Sequence, residues 1–158
     1  EPLLSKVGEK RDFKRGKAMY IAAQCAVCHK FKGDGGAIGP DLTAAGSRYN
    51  RRDLLEAIVD PNKGVSEQYA VFEVRQFDDK NEAVGMIMGQ NNTEMQVLTD
   101  PFNGTIARIN LYLPAEKELL PTSFMPPGLL NTLSEEEILD LLAYIESGAG
   151  DKPVGPSK

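Results

Sequence analysis

At 158 residues, 41% hydrophobic and 26% charged, the chain has the composition of an ordered globular protein and length enough for one good core with at most a small second lobe. A net charge of −5 and a pI near 5.0 argue against nucleic-acid binding. No run approaches the ~18 apolar residues of a membrane span, so no transmembrane segment is expected. The charge is uneven, with twelve Lys/Arg against eight Asp/Glu in residues 1–66 and six against fifteen in 67–158.

Glu1-Pro2-Leu3-Leu4 carries no secretory signal and reads as a processed or truncated start. A first helix is predicted from about Asp12 to Gln24, capped by Asp12, with Phe13, Gly16, Tyr20 and Ala23 on one stripe. Gly16 carries a cost of up to ~1 kcal/mol in a helix interior, which a close helix crossing would justify.

Cys25-Ala26-Val27-Cys28-His29 follows, a C-x-x-C-H motif that reads as a c-type haem attachment site. Two thiols at this spacing can form thioethers with the two vinyl groups of one porphyrin, and the adjacent imidazole can ligate the iron. The chain has two cysteines and one histidine, all inside these five residues. A structural zinc site takes four ligands, one more than is present. A redox C-x-x-C would sit near a βαβ pattern, and none is visible. A Cys25–Cys28 disulfide would leave His29 without a role.

Gly33, Gly35, Gly36 and Gly39, then Pro40, predict a loop able to wrap a flat cofactor. A second helix is predicted over Arg51–Asp60, capped by Asn50 and stopped by Pro61. The period then shifts to 2. Strands are predicted at Tyr69–Phe77, Val84–Met88, Met95–Leu98 and Thr105–Leu113, with a turn at Asp78–Asn81. They make an antiparallel meander, open or closed into a small barrel, bounded at about 67–113. Pro114–Leu120 reads as helical or irregular. Pro121, Pro126 and Pro127 stiffen the loop that carries Met125. The last helix opens on a Ser134/Glu137 capping box, carries Ile138, Leu141, Leu142 and Ile145 on one stripe, and ends near Gly148. Residues 149–158 read as a flexible tail.

A helix leading into C-x-x-C-H, a loop closed by Gly39-Pro40, a Pro-flanked methionine and a terminal Leu-Leu-Ala-Tyr-Ile helix together resemble class I cytochrome c. Ile38-Gly39-Pro40-Asp41-Leu42, Ser47-Arg48-Tyr49, Asp60-Pro61, Met125-Pro126-Pro127-Gly128 and Leu133-Ser134-Glu135-Glu136-Glu137 look closest to the Planctomycetes/Verrucomicrobia-type c-haem domain, over about residues 13–147. The resemblance implies a mainly α class I cytochrome c fold spanning 1–158. The β insert would lie between the second helix and the distal methionine loop. It also implies Gly16 meeting Tyr144 where the first and last helices cross, and one covalent haem c. Electron transfer would run with a separate redox partner or a fused dehydrogenase region, in the periplasm or another extracytoplasmic compartment.

Met19, Met86, Met88, Met95 and Met125 compete for the sixth iron position. Met19 reads as core. Met86 and Met88, two apart on a strand, share a face and read as packing, as does Met95. The family places its distal methionine where Met125 stands. The Pro40 carbonyl can accept from the second ring nitrogen of His29, and Arg48 and Tyr49 either bind a haem propionate or are simply exposed. The basic residues around the motif, among them Arg11, Lys14, Arg15, Lys17, Lys30, Lys32, Arg48 and Arg51, form either a docking surface or a solvated face. A haem-based ligand sensor with a displaceable methionine is the alternative function, and the strand insert as a protein-docking module is a third. No second histidine exists to act as a distal acid–base group, which argues against peroxidase chemistry.

Overall fold

The computed structural model describes residues 10–76 and 82–148. The expected turn at Asp78–Asn81 and the tail at 149–158 lie outside them. The chain forms two compact units. One combines the segment up to Pro61 with the segment from Pro126 onward; the other is Asn62–Met125.

The first unit is helical. Helix α1 (Phe13–Ala22) begins where Asp12 accepts from the Arg15 N–H at 3.0 Å, satisfying one free donor of the first turn. A single turn, α2 (Cys25–Cys28), follows after Gln24 adopts φ 60°. Two-residue strands β1 (Lys30–Phe31) and β2 (Asp34–Gly35) pair as a small hairpin inside the glycine-rich stretch expected to be loop. Helices α3 (Ala45–Arg48) and α4 (Arg51–Val59) come next, α4 being capped by Asn50. Helix α5 (Glu135–Glu146) starts on the expected capping box and is followed by Gly148 at φ +61°.

α5 is the spine of this unit, packing against α1, α3 and α4. At the α1–α5 crossing, a Cβ on Gly16 would lie 2.3 Å from the Asp140 carbonyl oxygen and 2.7 Å from the Tyr144 Cβ. The glycine is therefore what lets the two backbones meet, at the crossing that the resemblance implied. Tyr20, Phe31, Leu54, Leu130, Leu141, Leu142, Tyr144 and Ile145 share the core with Cys25.

Asp140 is unexpected. It interrupts the apolar run of α5 and is 1% exposed. Its carboxylate accepts from Arg15 Nε at 2.6 Å and from the Asp12 N–H at 3.1 Å, with Arg11 Nη1 at 3.7 Å. It thus fastens the start of α1 to α5. Asp140→Ala removes the Arg15 ion pair and leaves the Asp12 main-chain donor without its acceptor. It should lower stability by about 2 kcal/mol, read as a drop of roughly 5 °C in Tm.

The second unit is a five-stranded antiparallel sheet in the order β6-β5-β4-β3-β7, from β3 (Ala70–Gln76), β4 (Glu82–Gln90), β5 (Glu94–Asp100), β6 (Thr105–Asn110) and β7 (Ala115–Ser123). Val74, Ala83, Met95, Val97 and Ile109 form its core. The sheet curls enough for the Gln76 side chain on β3 to donate to the Asn110 carbonyl at the end of β6. It does not close into a barrel, since β6 and β7 are its edges.

The expected mainly α fold is therefore corrected. Among the described residues helix and strand each account for 31%. Two physical effects hid the strands. They run on through charged residues, Glu82, Glu94 and Asp100, beyond the apolar stretches that marked them. And β7 falls in the stretch read as helical or irregular. Its Pro121 is tolerated because the strand lies on the sheet edge, opposite an irregularity at Ala70/Val71, where no ladder bond is required of it.

Candidate functional site

The turn α2 gathers the chemistry. Cys25 is buried, Cys28 is half-buried, and both are free thiols. Burial pushes the Cys25 thiol up to about 11 and raises Cys28 as well, so at neutral pH both carry their protons. His29 terminates the turn with its N–H donating to the Cys25 carbonyl at 2.9 Å.

The His29 ring is oriented by Pro40, whose carbonyl lies 2.8 Å from Nδ1. A carbonyl only accepts, so Nδ1 carries the hydrogen and Nε2 keeps its lone pair. Burial lowers the pKa of the imidazole, with the Pro40 bond acting the other way, and the neutral ring is the ligand form. Gly39 explains how the chain comes so close. A Cβ there would sit 2.7 Å from His29 Cε1 and 2.8 Å from Nδ1.

Behind this turn stands an aromatic cluster. Tyr20 lies with ring centroids 5.4 Å from Phe31 and 5.9 Å from Tyr144, and Phe31 lies 5.1 Å from Tyr144. The Tyr20 hydroxyl donates to the His29 main-chain carbonyl at 3.1 Å. Burial pushes this phenol above the usual tyrosine range, so it remains a donor. Sequence reasoning placed Tyr20 on the buried stripe of α1 and missed the bond, which no local pattern announces.

The remaining expected site residues are placed as follows. Arg48 ends α3 and Tyr49 follows it, both exposed. Met125 is half-buried at the end of the sheet unit, its N–H donating to Ser123 Oγ at 3.1 Å. Met19 packs against the helical core. Met86 and Met95 are buried in the sheet unit. Met88 is 48% exposed. The expectation that Met86 and Met88 share a face fails because the register shifts between Ile87 and Gly89, leaving Met88 without a partner on β5.

The basic residues divide in the same way. Arg11, Arg15 and Arg51 are tied into ion pairs with Glu136, Asp140 and Glu146 of α5. Lys14, Lys17 and Lys32 are exposed beside the motif, and Lys30 is half-buried.

A donor set of two protonated thiols three residues apart, beside an imidazole with one nitrogen fixed and the other free, fits covalently bound haem iron and fits no other common metal group so well. Such a site defines a haem-binding protein. The cytochrome c family model matches residues 13–100, and the chain belongs to that family, which makes it an electron carrier rather than an enzyme. Members bind covalently attached haem c with iron, and are typically extracytoplasmic. A search of curated proteins found no match. No described helix is long and apolar enough to cross a membrane.

Proposed function

We propose that this chain carries one haem c through thioethers to Cys25 and Cys28, with His29 Nε2 and the Met125 sulfur as the axial pair, and passes single electrons between redox partners. The observation that carries this reading is the His29–Pro40 bond, which leaves Nε2 as the free ring nitrogen beside two unpaired thiols. When bound, the haem supplies the one-electron change. The protein's own part is to orient the imidazole, bury the Cys25 side and present a soft thioether at the other axial position, where it favours the reduced state. With both positions filled by protein groups, no substrate needs to reach the iron. The Pro-flanked loop suits Met125 to this role because its restricted backbone reduces the entropy lost on ligation.

The finer features follow the sequence resemblance. The chain is a haem domain of Planctomycetes/Verrucomicrobia type, its sheet inserted into one cytochrome c domain between α4 and the Met125 loop. It works with a fused dehydrogenase region or a separate redox protein in the periplasm. Arg48 and Tyr49 are exposed groups able to hydrogen-bond propionate carboxylates.

Acid–acetone extraction tests the covalent attachment. Colour should stay with the protein, and Cys25→Ala with Cys28→Ala should release it entirely. Haem leaving the unmodified protein would defeat the reading. Gly39→Ala tests the orientation of His29. The added methyl occupies the space of the ring edge and should break the Pro40 bond. That bond strengthens the imidazole as a donor and so stabilises oxidised iron. The reduction potential of Gly39→Ala should therefore rise; an unchanged potential would show that the Pro40 bond does not tune the iron.

A further inference from the structure

Four polar groups of His29 need partners: the main-chain N–H, the main-chain carbonyl and two ring nitrogens. The N–H donates to the Cys25 carbonyl at 2.9 Å, Nδ1 donates to the Pro40 carbonyl at 2.8 Å, and the carbonyl accepts from the Tyr20 hydroxyl at 3.1 Å. Among the described residues, Nε2 is left without a partner. The Tyr20 ring is 4% exposed and already accounted for by its packing with Phe31 and Tyr144. A phenylalanine would supply that packing. The hydroxyl is extra, and burying it is unfavourable unless it finds an acceptor. The acceptor it finds is the residue on which the haem site is built.

We infer that the Tyr20 hydroxyl is a positioning group for the axial histidine, acting through the His29 carbonyl and not on the iron. The inference rests on His29 being an axial ligand. His29 stands where α2 ends, at φ −106° and ψ 130°, so no helical hydrogen bond holds its carbonyl. Tyr20 does so from α1. Its bond fixes the His29–Lys30 peptide plane, and with it the direction of the Cα–Cβ bond and the reach of Nδ1 to Pro40. Three anchors on one residue, from α1, from Cys25 and from Pro40, leave the ring little freedom to rotate about its Cβ–Cγ bond. Released from Tyr20, the peptide rotates, the Nδ1–H···O bond lengthens and the imidazole becomes a weaker donor.

The test uses the haem-loaded protein and two variants, Tyr20→Phe and Tyr144→Phe. Both keep an aromatic ring in the same cluster, and only the first removes the bond to His29. The readouts are the hyperfine-shifted haem methyl and His29 ring resonances of the oxidised protein, and its reduction potential. Tyr20→Phe should keep covalent haem and native helical circular dichroism while the methyl pattern moves and the potential rises. Tyr144→Phe should superimpose on the unmodified protein. Identical spectra and potential for Tyr20→Phe would overturn the inference, and so would an equal displacement in Tyr144→Phe, which would assign the effect to packing. Absence of hyperfine-shifted His29 ring signals in the unmodified protein would be a different failure, that of the axial reading itself. A further measurement needs no variant. In the reduced protein the Tyr20 hydroxyl proton should appear as a slowly exchanging resonance close to His29, and its absence would overturn the inference even if Tyr20→Phe does not fold.

Discussion

Met125→Ala should abolish the weak far-red sulfur-to-iron band of the oxidised protein. It should also lower the reduction potential by more than ~100 mV, well inside the span of about 0.8 V that axial ligands command. A thioether is a poor donor to oxidised iron and a good partner for reduced iron, so removing it favours the oxidised state. The informative comparison is with the other methionines. Met86 and Met95 are buried in the sheet unit and Met19 packs on the helical core, so their loss should cost stability and leave the band in place. Met88 is the one strand methionine whose side chain is substantially exposed, at a bulge, and Met88→Ala should change neither stability nor spectrum appreciably. Retention of the band in Met125→Ala, or its loss in Met88→Ala, would move the ligand role away from Met125. A carbon monoxide difference spectrum of the reduced protein adds a second check. The unmodified protein should bind the gas poorly, and Met125→Ala should bind it readily, because the variant leaves an axial position open.

What could be read from the sequence was what depends on near neighbours. The attachment motif is a local arrangement of three side chains, and Asp12, Asn50 and the Ser134/Glu137 box each cap a helix with groups within three residues. Pro40 was legible because a proline after glycine leaves a carbonyl with no competing N–H of its own. The features that escaped depend on partners far along the chain. Strand β7 looks unlike a strand, since Glu116-Lys117-Glu118 and Pro121 disfavour one. It becomes a strand because β3 offers it an unpaired edge, from Gln76↔Ala115 to Ala70↔Ser123. The bulge at Met88 is set by the β4–β5 register and not by Met88 itself. Asp140 looks like an error in an apolar stripe until Arg15 and the Asp12 N–H are brought to it from more than a hundred residues away. Tyr20 is the same case on the functional side. Its ring follows from the helical period, but its hydroxyl has meaning only once α1 lies against the His29 carbonyl.

Gly16→Val should be the most damaging single change in the helical unit. In an exposed helix, replacing glycine by alanine raises stability by about 1 kcal/mol, since the backbone has less freedom to lose. At Gly16 the sign should reverse. Even one carbon there would lie 2.3 Å from the Asp140 carbonyl oxygen and 2.9 Å from the Asp140 carbonyl carbon, and these are backbone atoms that cannot rotate away. Relief requires α1 and α5 to separate. That opens the layer holding Tyr20, Leu141, Leu142 and Tyr144 and draws Asp140 away from Arg15. Overpacking of this kind costs about 1–3 kcal/mol and occasionally more. Gly16→Ala should therefore lose stability despite its better helix propensity, and the two further methyls of valine should take the loss to at least ~3 kcal/mol, a drop of roughly 10 °C in Tm. Thermal melting of the haem-loaded protein, followed by far-ultraviolet circular dichroism, measures both. A higher Tm for Gly16→Ala would mean that the helices are not held in backbone contact at this residue. A loss in both variants would place the α1–α5 crossing among the contacts that hold Tyr20 against His29. Gly16→Ala should then also reproduce, in weaker form, the upward shift in reduction potential expected of Tyr20→Phe.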